Sequence, residues 1–279
     1  MSRNVKHSIA DMSQIDWNEI INNKKASKPE PVRSGPEFWN RRAPSFAEHA
    51  GKTFYPDSFI NIMNPEPSWT VLDMGCGGGT LAIPLSGKVK HITAVDFSEK
   101  MIEILCVEAS RCGIKNIETI KASWTDNWAE CGIGKFDVAI ASRSLAVDDV
   151  KSALDKLNKA ARKRVIISTV VGDGPFDRRM FEAVGRERTE SIDYIYFYNL
   201  LYQMGIHANI TFINVDDSKT FESHAEACES MRWMFQDMTR GEDVLLKKYL
   251  AVHLVKENGR LHLDYKKTSR WAVIWWDKE

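Results

Sequence analysis

The chain has 279 residues and no excess of either charge, with 38 Lys plus Arg against 38 Asp plus Glu. A balanced chain exerts no long-range pull on nucleic acid or on an anionic membrane surface. That argues against a large RNA or DNA substrate while leaving room for a local basic patch. Long hydrophobic runs are also missing. The longest, near 165–171 and 271–276, are far too short to span a membrane, and the Met1 end has no apolar core of the kind a secretion signal carries. Cysteine is sparse: Cys76, Cys106, Cys112, Cys131 and Cys228 make an odd set with no Cys-x-x-Cys pair. The expectation is free thiols in a reducing cytoplasm, not a disulfide framework or a zinc site. His49, His207, His224 and His253 are scattered, and no ligand spacing calls for a metal.

What is present is concentrated in one stretch, Val71-Leu72-Asp73-Met74-Gly75-Cys76-Gly77-Gly78-Gly79-Thr80-Leu81. It reads as a short apolar strand, a glycine-dense turn and the start of a helix, a combination that turns free amide N–H groups toward a nucleotide-like ligand. The pattern is Asp-x-Gly-x-Gly-x-Gly. It is not the dinucleotide fingerprint, because Thr80 stands where the third glycine would be, and it lacks the Lys-Ser/Thr of a P-loop. A second strand over 89–95 runs into Asp96, about twenty residues past the first glycine, where a doubly wound fold places an acid for ribose hydroxyls. Further strands are expected at 117–122, 138–141 and 165–170. Helices between them cover 98–112 and 147–162, with Ser98 as N-cap and Gly113 as the stop. Near-continuous Val/Ile/Ala strands alternating with helices describe a parallel sheet covered on both faces.

With these motifs in place, the chain resembles a class I S-adenosylmethionine-dependent methyltransferase. The resemblance runs from about residue 38 to 168 and, more loosely, through the C-terminal strands. It implies an α/β, doubly wound, Rossmann-like fold with a seven-stranded, mostly parallel sheet, an antiparallel C-terminal edge strand and a helical lid or insert. It implies S-adenosyl-L-methionine as cofactor. By this resemblance Asp73, Gly75, Cys76 and Gly77 would surround the methionine and ribose part. Asp96 would hold the ribose, with Phe97 and Met101 against the adenine. Ser123 and Trp124 fall where the family reads the adenine, with Ser123 replacing a frequent Asp. Ser142 would contact the cofactor through backbone, and Arg42, in an aromatic and basic segment ahead of the first strand, would pair with the methionine carboxylate.

The acceptor is less legible. The fourth strand ends in Ser142-Arg143-Ser144-Leu145, not the Asn/Asp-Pro-Pro-Tyr of many amine methyltransferases, and no Pro-Cys dipeptide of a cytosine C5 enzyme occurs. Arg143 suggests a small-molecule acceptor with an anionic group; its alternative is a surface pair with Asp148 or Asp149. A tRNA or protein substrate and a non-catalytic cofactor-binding scaffold remain as rival readings. Residues 1–36 read as an extension, packed on the domain or partly disordered, with Ser13 and Asp16 capping a short helix; the functional alternative is a lid or a dimer arm, and the sequence leaves monomer and homodimer both open. The domain proper is 37–279, with a helical insert at about 217–258 between the last two strands. That insert and residues 172–204 are expected to close over the carboxyl edge of the sheet. Tyr194, Tyr198 and Tyr202, on one helix face, would then line the acceptor pocket beside Arg143.

Overall fold

The computed structural model describes residues 15–26, 35–50, 53–188, 190–235 and 237–278, with backbone alone over 45–50. Ser13 lies outside the described residues. Five strands, β1 (Thr70–Met74), β2 (His91–Asp96), β3 (Ile117–Lys121), β4 (Phe136–Ser142) and β5 (Ala161–Val171), run parallel in the order β3-β2-β1-β4-β5. Beyond β5 the sheet continues with two more strands, β10 (Thr268–Asp277) and then β6 (Asn209–Asp216), and β10 is antiparallel to both of its neighbours. The order reverses between β1 and β4, so the carboxyl ends of those strands open a crevice beside the glycine turn.

Helices cover both faces. On one side α3 (Tyr55–Met63), α4 (Ala82–Leu85) and α5 (Glu99–Arg111) bury Tyr55, Phe59, Met63, Leu85 and Leu105 with inward residues of the sheet. On the other side lie α6 (Val150–Ala160), α8 (Tyr194–Gln203) and Ile21 of α1 (Trp17–Ala26). Asp16 caps α1 by accepting a hydrogen bond from Glu19 N at 3.0 Å. Trp17 meets Tyr196 edge-on, with centroids 6.2 Å apart, and Gln203 bonds back to Ile15 O. This first helix is therefore a working member of the outer layer. The remaining N-terminal helix, α2 (Pro36–Ala50), packs along α5.

The segment between β6 and β10 departs from a purely helical insert. It contains β7 (Thr220–Phe221), α9 (His224–Arg232), α10 (Arg240–His253), β8 (Leu254–Glu257) and β9 (Arg260–Leu263), the strands forming a second antiparallel sheet in the order β7-β9-β8. The β8–β9 turn is Asn258-Gly259, both residues at positive φ (49° and 83°), the geometry that two-residue hairpin turns require. With α7 (Arg178–Ala183) these elements share their own core of Met180, Phe181, Phe221, Met231, Leu246 and Leu250. The chain thus carries a small mixed α/β cap on the sheet.

Candidate cofactor and acceptor site

The end of β1 and the end of β2 are joined across the glycine turn. Gly75 N and Cys76 N donate to Val95 O at 2.7 and 3.0 Å. Asp96 accepts from Gly77 N at 2.9 Å through one oxygen and from Ser98 N at 2.8 Å through the other. Its carboxylate is therefore a strut that fixes the turn as well as a group facing the crevice. Asp73 is 2% exposed, and its Oδ2 is buried without a hydrogen-bond partner. Burial, helped by the nearby Asp96, pushes its carboxyl from the usual range up to about 7. Burial and the same two acids raise the Cys76 thiol, so it stays neutral and unreactive.

The glycines have different reasons to be glycine. A Cβ on Gly75 (φ 76°) would lie 2.3 Å from Ser144 Cβ, and one on Gly79 (φ 89°) 2.5 Å from Leu105 Cδ1. Both are required by close approach of protein, the β4 loop in one case and α5 in the other. For Gly75 the approach of Ser144 is a reason for glycine in its own right, beside the expected contact with the ligand. Gly77 (φ 55°) is held by the Asp96 bond.

Around the adenine side, Phe97 is half-buried and Met101 is buried on the first turn of α5. Ser123 N donates to Asp126 Oδ2 at 2.8 Å, and the Ser123 hydroxyl lies 2.9 Å from that of Thr125. The carboxylate of this loop is thus Asp126, three residues past the expected position. Trp124 donates its indole N–H to Ser144 O at 3.2 Å, tying the loop to the end of β4. Asn40 on α2 accepts from Ser98 Oγ at 2.7 Å, so α2 is pinned beside Asp96. Arg42, on the same helix, has its guanidinium carbon 4.8 Å from the ring of Trp233 and 5.7 Å from that of Phe38. Trp233 follows α9, so α2 and the cap meet through Arg42, as a cover over the carboxyl edge.

At the end of β4 the structure adds a residue that sequence reading missed. Tyr55, fully buried at the start of α3, places its hydroxyl 2.7 Å from Ser142 Oγ and 2.5 Å from Ser168 Oγ. Arg143 is in the left-handed region (φ 57°), its N–H donating to Ser168 O. Its guanidinium carbon lies 4.1 Å from the Tyr55 ring centroid and 5.4 Å from that of Trp271. The surface alternative does not form: Asp149 instead caps α6 by accepting from Ser152 N at 3.0 Å.

Tyr194, Tyr198 and Tyr202 do not join this group, which corrects the expectation of an aromatic wall. Phe197, Leu200 and Leu201 take the buried face of α8, leaving the tyrosines on its flank. Tyr194 meets Phe212 edge-on at 5.3 Å, Tyr198 donates to Ala208 O at 3.0 Å, and Tyr202 is 64% exposed beside His207. Tyr194 and Tyr198 pack with the α6–α8 layer, whereas Tyr55 and Trp271 belong to the opposite face. Among the described residues no group of His, Cys, Asp and Glu could hold a metal, and no helix is long and apolar enough to cross a membrane.

Residues 71–164 match the family described as "Methyltransferase domain", and the sheet order and glycine turn agree with it. The chain belongs to the class I S-adenosylmethionine-dependent methyltransferases, and its cofactor is S-adenosylmethionine. A Haemophilus influenzae protein named only "Uncharacterized protein" is 34% identical over 246 residues, covering 87% of this chain and 89% of that one. A ubiquinone biosynthesis O-methyltransferase of Xylella fastidiosa is 31% identical over 78 residues, 28% of this chain and 31% of that one. A candidate methyltransferase from Bacillus halodurans shares the fold at a TM-score of 0.55 and 14% identity, over 80% of this chain and 98% of its own. The residues present fit the cofactor: a buried, unpartnered Asp73 oxygen suits an ammonium group, and a positive-φ glycine turn suits close approach.

Proposed function

We propose that the protein methylates a small-molecule acceptor that carries an anionic group, with Arg143 as its anchor. The observation that carries this reading is the state of that side chain. Its guanidinium is held over the Tyr55 ring at the carboxyl end of β4, and no carboxylate lies within ion-pair distance among the described residues. A half-buried arginine, pre-oriented by an aromatic face and lacking an internal counter-ion, suits a carboxylate or phosphate ligand.

The cofactor supplies an electrophilic methyl group on a positively charged sulfur, so the chain has to supply alignment and water exclusion. Asp73 would take the amino group and Arg42 the carboxylate of the methionine part. Asp96 would use its remaining lone pairs for the ribose, with Cys76 and Gly77 alongside. Phe97, Met101, Ser123 and Trp124 would border the adenine, and Ser142 would approach through backbone. The cap and α2 would exclude water.

The test is release of S-adenosylhomocysteine across a panel of carboxylic acids and phosphate monoesters, each paired with its neutral ester or amide. The acids should be turned over and their neutral counterparts should not. Arg143→Met should cut turnover by roughly ten- to a hundred-fold, the worth of one charge-assisted contact, with cofactor affinity nearly unchanged. Preferential methylation of bulk tRNA, or full activity in Arg143→Met, would contradict the reading.

A further inference from the structure

Outside the groups assigned so far, two lysines stand out at the root of the cap. Lys219 lies between β6 and β7 and donates to Ser230 Oγ of α9 at 3.3 Å. Lys267 directly precedes β10 and donates to Pro175 O at 2.6 Å. Neither forms an ion pair among the described residues. The carboxylate within electrostatic reach of both is Asp217, whose N–H bonds to Lys267 O at 2.9 Å. Asp217 Oδ2 is itself buried without a partner. Asp177 also reaches Lys267, but three hydrogen bonds from Arg179 and one from Tyr265 engage it. Burial lowers both lysines from their usual range, and for Lys219 the nearby Arg42 adds to the effect. Cations held in a poorly solvated place with one shared counter-ion gain from an incoming anion.

Strand geometry sets where this pair lies relative to Arg143. Ser269 and Trp271 alternate along β10 and so point to the same side of the sheet, and Lys267, immediately before the strand and bonded through its O to Asp217 N, continues that alternation. Trp271 is the ring beside Arg143, and Ser269 is buried and hydrogen-bonds the Asp217 side chain. On β6, Ile213 and Val215 share the core cluster of Trp271, and Asp217 continues their alternation. One face therefore carries a row from Arg143 through Trp271 and Ser269 to the lysines. Four residues separate Trp271, the ring beside Arg143, from Lys267, about 13 Å along the strand.

We propose that Lys219 and Lys267 form a second anionic subsite of the acceptor chamber, so that the acceptor is an elongated dianion with its first charge on Arg143 and its second near the root of the cap. The inference rests on the reading of Arg143 as an acceptor anchor and adds the acceptor's length and second charge. Either a carboxylate or a phosphate suits the second position.

Calorimetric titration of the full chain, saturated with S-adenosylhomocysteine, tests it with three probes: nonanoate, the nine-carbon dianion azelate, and the three-carbon dianion malonate. Azelate should bind at least about tenfold more tightly than either of the others. Lys219→Met should reduce azelate to the level of nonanoate and leave nonanoate unchanged. Lys267→Met is the second variant, checked for an unaltered thermal melt. An ω-phosphono acid of azelate's length tells which end group is preferred, and tight binding of either supports the subsite. Nonanoate binding with no azelate advantage, or an advantage that survives both lysine substitutions, overturns this inference alone. If the wild-type protein binds none of these probes, the Arg143 reading falls and the second subsite falls with it.

Discussion

At neutral pH Asp73 sits near its own midpoint, and this ties cofactor affinity to pH. The buried carboxyl keeps its proton up to about pH 7, whereas an unfolded chain loses it near 3.8. Between those values the folded state holds more protons, so this group's contribution to stability falls as pH rises from 4 to 7. A ligand ammonium beside Oδ2 favours the ionised form and reverses that cost. Cofactor affinity should therefore rise by up to about tenfold per pH unit between pH 5 and 7 and level off above. A calorimetric pH series checks this: Asp73→Asn should bind more weakly and lose the slope, and a flat wild-type profile would contradict the assignment. The glycines make a second contrast. Gly75→Ala would drive a Cβ into Ser144 and should lower the melting temperature. Gly77→Val adds a β-branched side chain at φ 55°, at a strain cost of about 1–2 kcal/mol, and should chiefly abolish cofactor binding. At this scale the motif was readable because only a few residue types suit a turn between two acids. Tyr55 was not. Its role comes from Ser142 and Ser168, 87 and 113 residues away, and no local pattern encodes such a meeting.

The elements show where periodicity informs and where it misleads. The strands of the parallel sheet are read to within a few residues, because buried parallel strands are continuous apolar runs between turn residues. Helix ends were less exact: α6 gives way to β5 at Ala161 with no intervening turn. The tyrosine spacing in α8 is real, yet the apolar Phe197, Leu200 and Leu201 compete for the same core and win it. The β8–β9 hairpin is present in the sequence as Asn258-Gly259, the strongest short hairpin pattern, but the helical insert expected at about 217–258 runs over its first strand. The cap's separate core predicts separate behaviour. Leu246→Ala, at a fully buried position, should cost about 2–5 kcal/mol. Hydrogen exchange should then quicken over 220–263 while β1, β4 and β5 stay protected. Uniform loss of protection across the molecule would contradict an independent cap core.

On the scale of the whole molecule, a sheet with two helical layers presents its carboxyl edge to one cover, made from α2 and the cap. The two halves of the site come from different lengths of chain. The proposed cofactor half is mostly local, written within Asp73–Ser142 with Arg42 of α2 outside it, and so it was visible in the sequence. The proposed acceptor half would join α3, the end of β4, the start of β10 and the cap, and such a site takes shape only on folding. The position of the acceptor is set by that of the cofactor, between the ends of β1 and β2. Calorimetric titration of S-adenosylhomocysteine and of NAD into the wild type and Asp96→Ala tests that placement most directly. Asp96 supplies hydrogen bonds worth about 1.5–3 kcal/mol each. The account predicts binding of S-adenosylhomocysteine to the wild type, a roughly ten- to hundred-fold loss in Asp96→Ala and no heat of binding from NAD. Equal affinity in the two proteins, or binding of NAD in place of S-adenosylhomocysteine, would contradict it.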